Sequence, residues 1–229
     1  MVRKIEKLIV LYVFLAIFCC GGCGLVGLVG SESPYEKKIP AEYNLASQKN
    51  KKVLVIVEQP SWFSSESNLR YYLTRDICQN LTAKVKVKSK NIIPYKELAE
   101  FRASRSDFSS LLPADVGTAL GADIVVLVII EDYQLNDVAG TGYYNGFLSV
   151  QAAVYETAGG KVWPLEAAGK SVKVGFDTGE RGQELAVGRL VSACAYCITR
   201  YFYNCPEYKF KIFDEGGRSG WDSPISEEN

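Results

Sequence analysis

The sequence predicts an α/β fold, a single compact domain in which helices pack on a mixed sheet of about five strands and a long C-terminal helix closes the chain. Composition is the first observation behind this, because 229 residues with 48% apolar and 23% charged side chains are typical of one globular domain. The second is a pair of strand-length apolar runs, 52–57 and 123–130, with helical segments between them. The third is an apolar repeat of helical spacing from 180 to 204.

Residues 1–22 are predicted to be a lipoprotein signal peptide. Three basic residues precede an unbroken apolar run from Leu8 to Phe18, as in a secretory signal. Gly21 and Gly22 stand directly before Cys23, and small residues before a cysteine resemble the lipobox of bacterial lipoproteins. That resemblance implies acylation of the Cys23 thiol after cleavage. The expected location is the cell membrane or the outer membrane, with the domain lipid-anchored and facing the periplasm.

An uncleaved membrane anchor is the alternative interpretation of the same segment. Leu8 to Gly30 carries no charged residue over 23 positions, and about 20 residues cross a bilayer as a helix. The basic residues come before the apolar run in either case. Under the positive-inside rule the amino end then stays in the cytoplasm, and the rest of the chain is exported.

Residues 23–50 are predicted to form the anchor and a flexible tether, because the segment from Ser31 to Lys52 is polar, contains two prolines and has no sustained period. The α/β domain is expected to span residues 51–205 and to open with a buried strand, Lys52–Val57. Residues 206–229 are predicted to be a polar tail.

The elements after the first strand are predicted from local patterns. Leucine or isoleucine at every fourth position predicts a helix over 65–81, and alternation of Val with Lys predicts a half-exposed strand over 83–88. The remaining expected elements are short helices at 94–103 and 113–120, a central strand covered on both faces at 123–130, a turn at 136–142, strands at 144–156, 161–164 and 170–176, and a helix at 180–204.

The residue inventory excludes several function classes. The chain has no histidine, which removes Ser-His-Asp and Cys-His catalysis and His-ligated zinc. Lys and Arg number 26 against 26 Asp and Glu, a balance that argues against a nucleic-acid partner. Glu131 and Asp132 end the central strand, but neighbouring residues of a regular strand point to opposite faces and form no acid/base pair. We therefore predict no enzyme activity, no cofactor and no metal site.

The cysteines of the last helix leave two alternatives open. Cys194 and Cys197 form a C-x-x-C, which thioredoxin-like proteins place at the start of a helix after a strand, whereas here it lies well inside the predicted helix. Buried packing is one interpretation. Structural disulfides within the set Cys194, Cys197 and Cys205 are the other, with a pairing that sequence does not determine.

Aromatic residues beside two loops are candidates for partner binding. Tyr133, Tyr143 and Tyr144 flank the predicted turn at 136–142, and Trp62 follows the first strand. Exposed aromatic side chains beside loops are common in protein-binding surfaces. Core packing is the other interpretation of the same rings.

Four segments together resemble a known family. The lipobox, "KVLVIV" from Lys52, "ALGADIVVLVIIEDY" from Ala119 and "LSVQAAVYETAGGKVW" up to Trp163 are similar to periplasmic lipoproteins of the curli-secretion (CsgG-like) and penicillin-binding-protein-activator (LpoB-like) group, whose domain is similar to the amino-terminal domain of TolB. The resemblance covers about residues 51 to 205. The long hairpin insertions from which curli-secretion members build a pore have no room here, so pore formation is not expected.

The resemblance implies a function as well as a fold. It implies a lipid-anchored accessory protein that binds and supports or regulates another cell-envelope protein or assembly and is not an enzyme. An auxiliary lipoprotein of an envelope transporter is the first alternative, and a thiol redox protein using Cys194 and Cys197 is the second. The identity of the partner and the oligomeric state stay open.

Overall fold

The computed structural model describes residues 37–48, 50–60 and 68–207, with the backbone alone for 177–180. The predicted signal peptide, Cys23, Trp62 and the predicted tail from 208 onward lie outside the described residues. The described residues from Lys38 onward belong to one compact unit.

The predicted α/β class is confirmed, with a mixed five-stranded sheet and four α-helices in the described parts of the chain. The strands are β1 Lys38–Ile39, β2 Val53–Glu58, β3 Ile124–Asp137, β4 Tyr143–Glu156, β5 Gly160–Trp163, β6 Lys170–Arg181 and β7 Cys205–Pro206. The helices are α1 Leu69–Asn80, α2 Tyr95–Ala103, α3 Pro113–Ala119 and α4 Gln183–Thr199.

The main sheet has β3 and β4 at its centre. β2 runs parallel to the first six residues of β3, 124–129, and every other pairing in this sheet is antiparallel. The outer edge of β4 is shared by two strands, because β6 pairs with residues 143–152 and β5 with 154–156. A separate small sheet joins β1 to β7.

The two faces of the sheet are covered differently. Helices α1 and α4 pack on one face, which we call the helix-covered face, and on each other. On the opposite face, α2 and α3 cover β2, the start of β3 and the end of β4, where Leu54, Ile56, Val125 and Leu127 form a second core cluster with Tyr155 packed against it. Since β2 and the first residues of β3 are buried on both faces, their continuous apolar sequence follows directly. The central strand predicted over 123–130 is therefore covered on both faces from Ile124 to Val128, whereas Ile129 is 40% exposed on the second face.

The strand predicted over 83–88 is wrong. Residues Leu81–Val85 form a π-helical turn that continues α1, and Lys86 ends it in the left-handed conformation with φ 68°. Val85 satisfies both the period-2 pattern of a strand and the four-residue repeat of the helix, so local sequence does not separate the two. Burial decides for the helix, since five residues of that repeat are at most 1% exposed: Leu69, Leu73, Ile77, Leu81 and Val85.

A β-bulge in β3 changes which residues face the core. Register shifts between Ile130 and Asp132, so that Asp132 pairs with Ser149. Even-numbered residues up to Ile130 face the helix-covered core, and beyond the bulge the odd-numbered Tyr133 and Leu135 do so. The expectation that Glu131 and Asp132 point to opposite faces is therefore corrected, because it assumed a regular strand.

Part of the predicted tether packs against the domain. Ile39 pairs with Cys205, and Leu45 is buried in the main core. The Glu42 carboxylate accepts hydrogen bonds from Trp163 Nε1 at 2.9 Å and from Lys170 Nζ at 2.8 Å. These contacts lie more than 100 positions apart in the chain, so the local pattern of residues 38–48 carries no sign of them.

The boundaries of β3, β6 and the last helix differ from those predicted. β3 reaches Asp137 and β6 reaches Arg181, because both remain paired with β4 beyond their apolar runs. The last helix accordingly starts at Gln183 after Gly182, whose φ is 95°, and not at residue 180. It ends at Thr199, where a short 3₁₀ turn, Arg200–Phe202, follows.

Replacement of Gly117 by Ala is expected to lower the free energy of unfolding by about 1–3 kcal/mol, as overpacking does. A Cβ at Gly117 in α3 would meet Val125 Cγ2 at 2.5 Å and Thr157 Cγ2 at 2.7 Å. Gly188→Ala in α4 is the matched control, because a Cβ added there would meet no atom within 4 Å. That change should raise stability by about 0.5–1 kcal/mol through helix propensity. Urea denaturation measures the change in the free energy of unfolding for both variants, and equal changes would contradict the packing of α3 on β3.

Glu156→Gln is expected to make the free energy of unfolding less sensitive to acid. Hydrogen bonding from Lys51 Nζ at 3.0 Å, with a smaller contribution from Tyr43, holds the Glu156 pKa below its ordinary 4.5. A carboxylate whose pKa is lower in the folded protein than in the unfolded protein stabilises the fold. This stabilisation is complete above the unfolded pKa and is lost as the pH falls through the folded pKa. The native protein should therefore lose more stability between about pH 6 and 3 than the variant. The difference should be less than about 1 kcal/mol, because the pair is partly exposed and screened by solvent. If the native protein and the variant lost equal stability across this pH range, the ion pair between Lys51 and Glu156 would be contradicted.

Candidate partner-binding surface

The ends of β3 and β4 extend past β2 and form a feature that we call the distal hairpin, residues 132–149. Its strands are paired from Asp132 with Ser149 to Asp137 with Tyr144. β6 pairs along the other side of β4, so the extension has three strands. β2 ends opposite Ile129, and no described strand pairs with the outer edge of β3 beyond that residue. The hairpin is thus held by the sheet at its base and on one side.

The tip of the distal hairpin is a five-residue turn, 138–142. Asp137 Oδ1 accepts a hydrogen bond from Gly142 N at 3.1 Å, and Val138 N donates to Tyr143 O at 2.7 Å. Gly140 and Gly142 have φ of 71° and 76°, a conformation that suits glycine because it lacks a Cβ. The turn predicted from Asn136 to Gly142 therefore exists but begins two residues later.

The three described tyrosines of the predicted binding set differ in exposure. Tyr143 at the tip is 43% exposed, and Val138 beside it is 42% exposed. Tyr133 and Tyr144 are half-buried and pack against the helix-covered core. The structure thus places one of the three rings at a surface and uses the other two mainly to hold the hairpin on the core.

Glu131 and Asp132 lie on the face opposite the helix-covered one, at the base of the distal hairpin. Glu131 accepts hydrogen bonds from Ser149 Oγ at 3.2 Å and Gln151 Nε2 at 2.5 Å, and Asp132 accepts one from Gln134 Nε2 at 3.2 Å. Ser149 is buried, so its hydroxyl needs this partner. These contacts satisfy polar groups around the bulge and stabilise its register.

The cysteines of the last helix are buried free thiols. Cys194 and Cys197 lie in the interior of α4, and Cys205 in β7 is in contact with the hydroxyls of Tyr196 at 3.7 Å and Tyr203 at 3.5 Å. Burial, and then the neighbouring Cys197, raises the pKa of the Cys194 thiol well above its ordinary value. Thiol redox chemistry requires an accessible thiolate, so this arrangement opposes the redox alternative.

Metal-binding clusters and bilayer-spanning helices are both absent from the described parts of the chain. In residues 37–48, 50–60 and 68–207, no group of three or more Cys, Asp or Glu side chains has an arrangement that could hold a metal ion. No helix in those ranges has both the length and the apolar content needed to cross a bilayer.

A groove beside α1 is a feature that the sequence patterns did not predict. It has a volume of about 630 Å³ and lies between α1 and the segment 89–95. Residues of its walls include Tyr71, Cys78, Ile92, Pro94 and Tyr95. The α1 residues that line it, such as Tyr71 and Cys78, lie outside the buried repeat, so that repeat gives no sign of the groove.

Alkylation of the folded protein at pH 8 is expected to leave Cys194, Cys197 and Cys205 unmodified. Cys78 should react about two orders of magnitude more slowly than a free cysteine, because burial raises its pKa to about 11 and few thiolates form. Mass spectrometry of digested samples measures each site, and the urea-unfolded protein is the control. Rapid alkylation of Cys194 or Cys197 in the folded protein would contradict this assignment.

No family model matches this chain, and no curated protein matches it. Similar solved structures include the lipoprotein GNA1162 from Neisseria meningitidis, 17% identical, with 62% of this chain and 94% of that chain covered and a TM-score of 0.40. A PelC dodecamer from Paraburkholderia phytofirmans is 7% identical, with 73% and 97% covered and a TM-score of 0.43. The hypothetical protein CT253 from Chlamydia trachomatis is 17% identical, with 56% and 73% covered and a TM-score of 0.34. Likeness at this level carries no argument about function, and the resemblance to the CsgG-like group stays a prediction.

Proposed function

We propose that the chain is a lipid-anchored exported accessory protein that binds and supports or regulates another cell-envelope protein, without catalysing a reaction. The observation that carries this proposal is the distal hairpin, which presents Tyr143 and Val138 to solvent at the end of a three-stranded extension. A partly exposed aromatic residue on a supported hairpin is the kind of side chain that anchors protein interfaces.

The construction of the hairpin supports a binding role over a purely structural one. Tyr133, Leu135 and Tyr144 pack on the core and the bulge at Glu131 is hydrogen-bonded, so the tip is held before any partner arrives. A preorganised surface loses less conformational entropy on binding. The membrane address is proposed from the sequence alone: a lipid on Cys23, in the cell membrane or the outer membrane, with the domain facing the periplasm.

Intact mass of protein purified from membranes tests the anchor. We expect a mature species that begins at Cys23 and carries added acyl mass, and we expect Cys23→Ala to lose both the processing and the acyl mass, since the acylated thiol is absent. An unprocessed native mass would contradict the lipoprotein proposal and would favour Leu8–Gly30 as a membrane span.

Site-specific photo-crosslinking in cells tests the binding surface. A photoreactive amino acid at position Tyr143 is expected to crosslink to an envelope protein, and the same label at Leu165 is expected not to. Leu165 is the matched control because it is 94% exposed, apolar and outside the distal hairpin. Tyr143→Ala should weaken capture of that same partner by about tenfold or more, the range for an interface anchor residue. Equal crosslinking from both positions, or none from Tyr143, would overturn the proposed surface.

A further inference from the structure

A strongly basic segment lies beside the groove at α1. From Ile77 to Lys96 the sequence has five lysines and no acidic residue, in a chain whose total charges balance. Four of them, all exposed, form what we call the lysine ridge: Lys84, Lys86, Lys88 and Lys90.

The backbone explains why the four lysines point outward. The π-helical turn buries Val85, and after the left-handed Lys86 the chain buries Val87. Val87 N donates to Leu81 O at 3.0 Å, which holds the reversal against the end of α1. Val85 and Val87 are thereby anchored in the core, and the neighbouring lysines are left in solvent.

The lysine ridge is not neutralised by carboxylates of the described residues. Lys86 Nζ donates to the carbonyl of Ala83 at 2.8 Å. The ion pairs found in the described ranges use other cations, such as Lys96 with Glu100 at 3.8 Å, and none includes Lys84, Lys88 or Lys90. Concentrated positive charge without acidic partners is costly for the folded state unless an anion offsets it.

The groove supplies apolar surface next to this charge. Tyr71 and Tyr95 stand edge to face with ring centroids 5.4 Å apart, and Ile92 and Pro94 lie along the same groove. Tyr71 is 40% exposed. Ala83 and Ser89 also line the groove, so the lysine ridge borders it directly.

We propose that the lysine ridge and this groove dock the domain onto an anionic phospholipid surface. Each lysine near such a surface strengthens binding by about fivefold, and tyrosines favour the interface between headgroups and acyl chains. The ridge carries ammonium groups and no guanidinium fork, which suits a diffuse array of phosphates better than bidentate recognition of one carboxylate.

The inference rests on the proposed lipid anchor, which favours a membrane over an acidic protein as the occupant. Fourteen residues separate Cys23 from Lys38, where the described compact unit begins, and this length of chain extends to about 50 Å at most. A domain restricted to that distance meets the bilayer at high effective concentration, so individually weak lysine contacts add up to docking.

Hydrogen–deuterium exchange of the full-length lipidated protein tests the inference. The protein is reconstituted in vesicles of phosphatidylcholine alone and in vesicles that also contain phosphatidylglycerol, so that the anchor is the same in both. We expect amides between 83 and 95 to exchange at least about tenfold more slowly in the anionic vesicles, since four lysine contacts of about fivefold each keep the domain mostly docked. The difference should disappear at about 1 M salt, where the Debye length is about 3 Å.

Two triple variants separate charge from fold. Lys84→Glu, Lys88→Glu and Lys90→Glu together should abolish the protection, and the same three positions changed to Arg should retain it. Exchange in β4 should be the same in all proteins and reports the fold. Protein that fails to sediment with either vesicle would refute the anchor. Anchored protein with equal exchange in both lipids would overturn this inference alone. Protection already present in detergent without vesicles would also overturn it, because another protein segment would then cover the groove.

Discussion

Burial of the β2–β3 pair on both faces is the constraint on which the rest of this structure depends. A parallel pair lined by Val, Ile and Leu on both sides has no face that tolerates water, so helices must cover both. Helices α1 and α4 take one face, and α2 and α3 take the other over β2, the start of β3 and the end of β4. Where β2 ends, at Glu58, double coverage is no longer needed, and β3 continues as part of a sheet buried on one face.

The bulge at Glu131 lies just beyond that transition. It shifts the side-chain alternation of β3 by one residue, so Tyr133 and Leu135 continue the core that Ile130 would otherwise end. The same shift places Glu131 and Asp132 beside Ser149, Gln151 and Gln134, which satisfy them. The bulge therefore has two effects: it keeps apolar residues of the distal hairpin on the core, and it gives the polar residues at the base of the hairpin their hydrogen-bond partners.

The distal hairpin and the lysine ridge lie toward opposite ends of β2. The hairpin extends past the carboxyl end of β2, whereas Ile92 and Ile93, which adjoin the groove, contact Val53 at its amino end. A domain docked on lipid through the ridge would hold Tyr143 away from the bilayer and within reach of a neighbouring envelope protein. The two proposals are thus compatible in one orientation of the domain.

The sequence by itself determined the fold class, the two strands buried on both faces, the apolar stripe of α1 and the region of the closing helix. Each of these follows from a pattern of contiguous residues, either an apolar run or a helical repeat. Of the candidate site, it identified Tyr143 and its turn but not which tyrosines are exposed. Only the tertiary structure decided between helix and strand at Val85, which fits both periods, and between tether and packed segment at residues 38–48. Only it placed the bulge in β3 and brought the lysines beside the groove at α1. Those outcomes depend on partners far along the chain, such as Cys205 for Ile39 and Ser149 for Asp132, and local patterns contain no information about contacts at that separation.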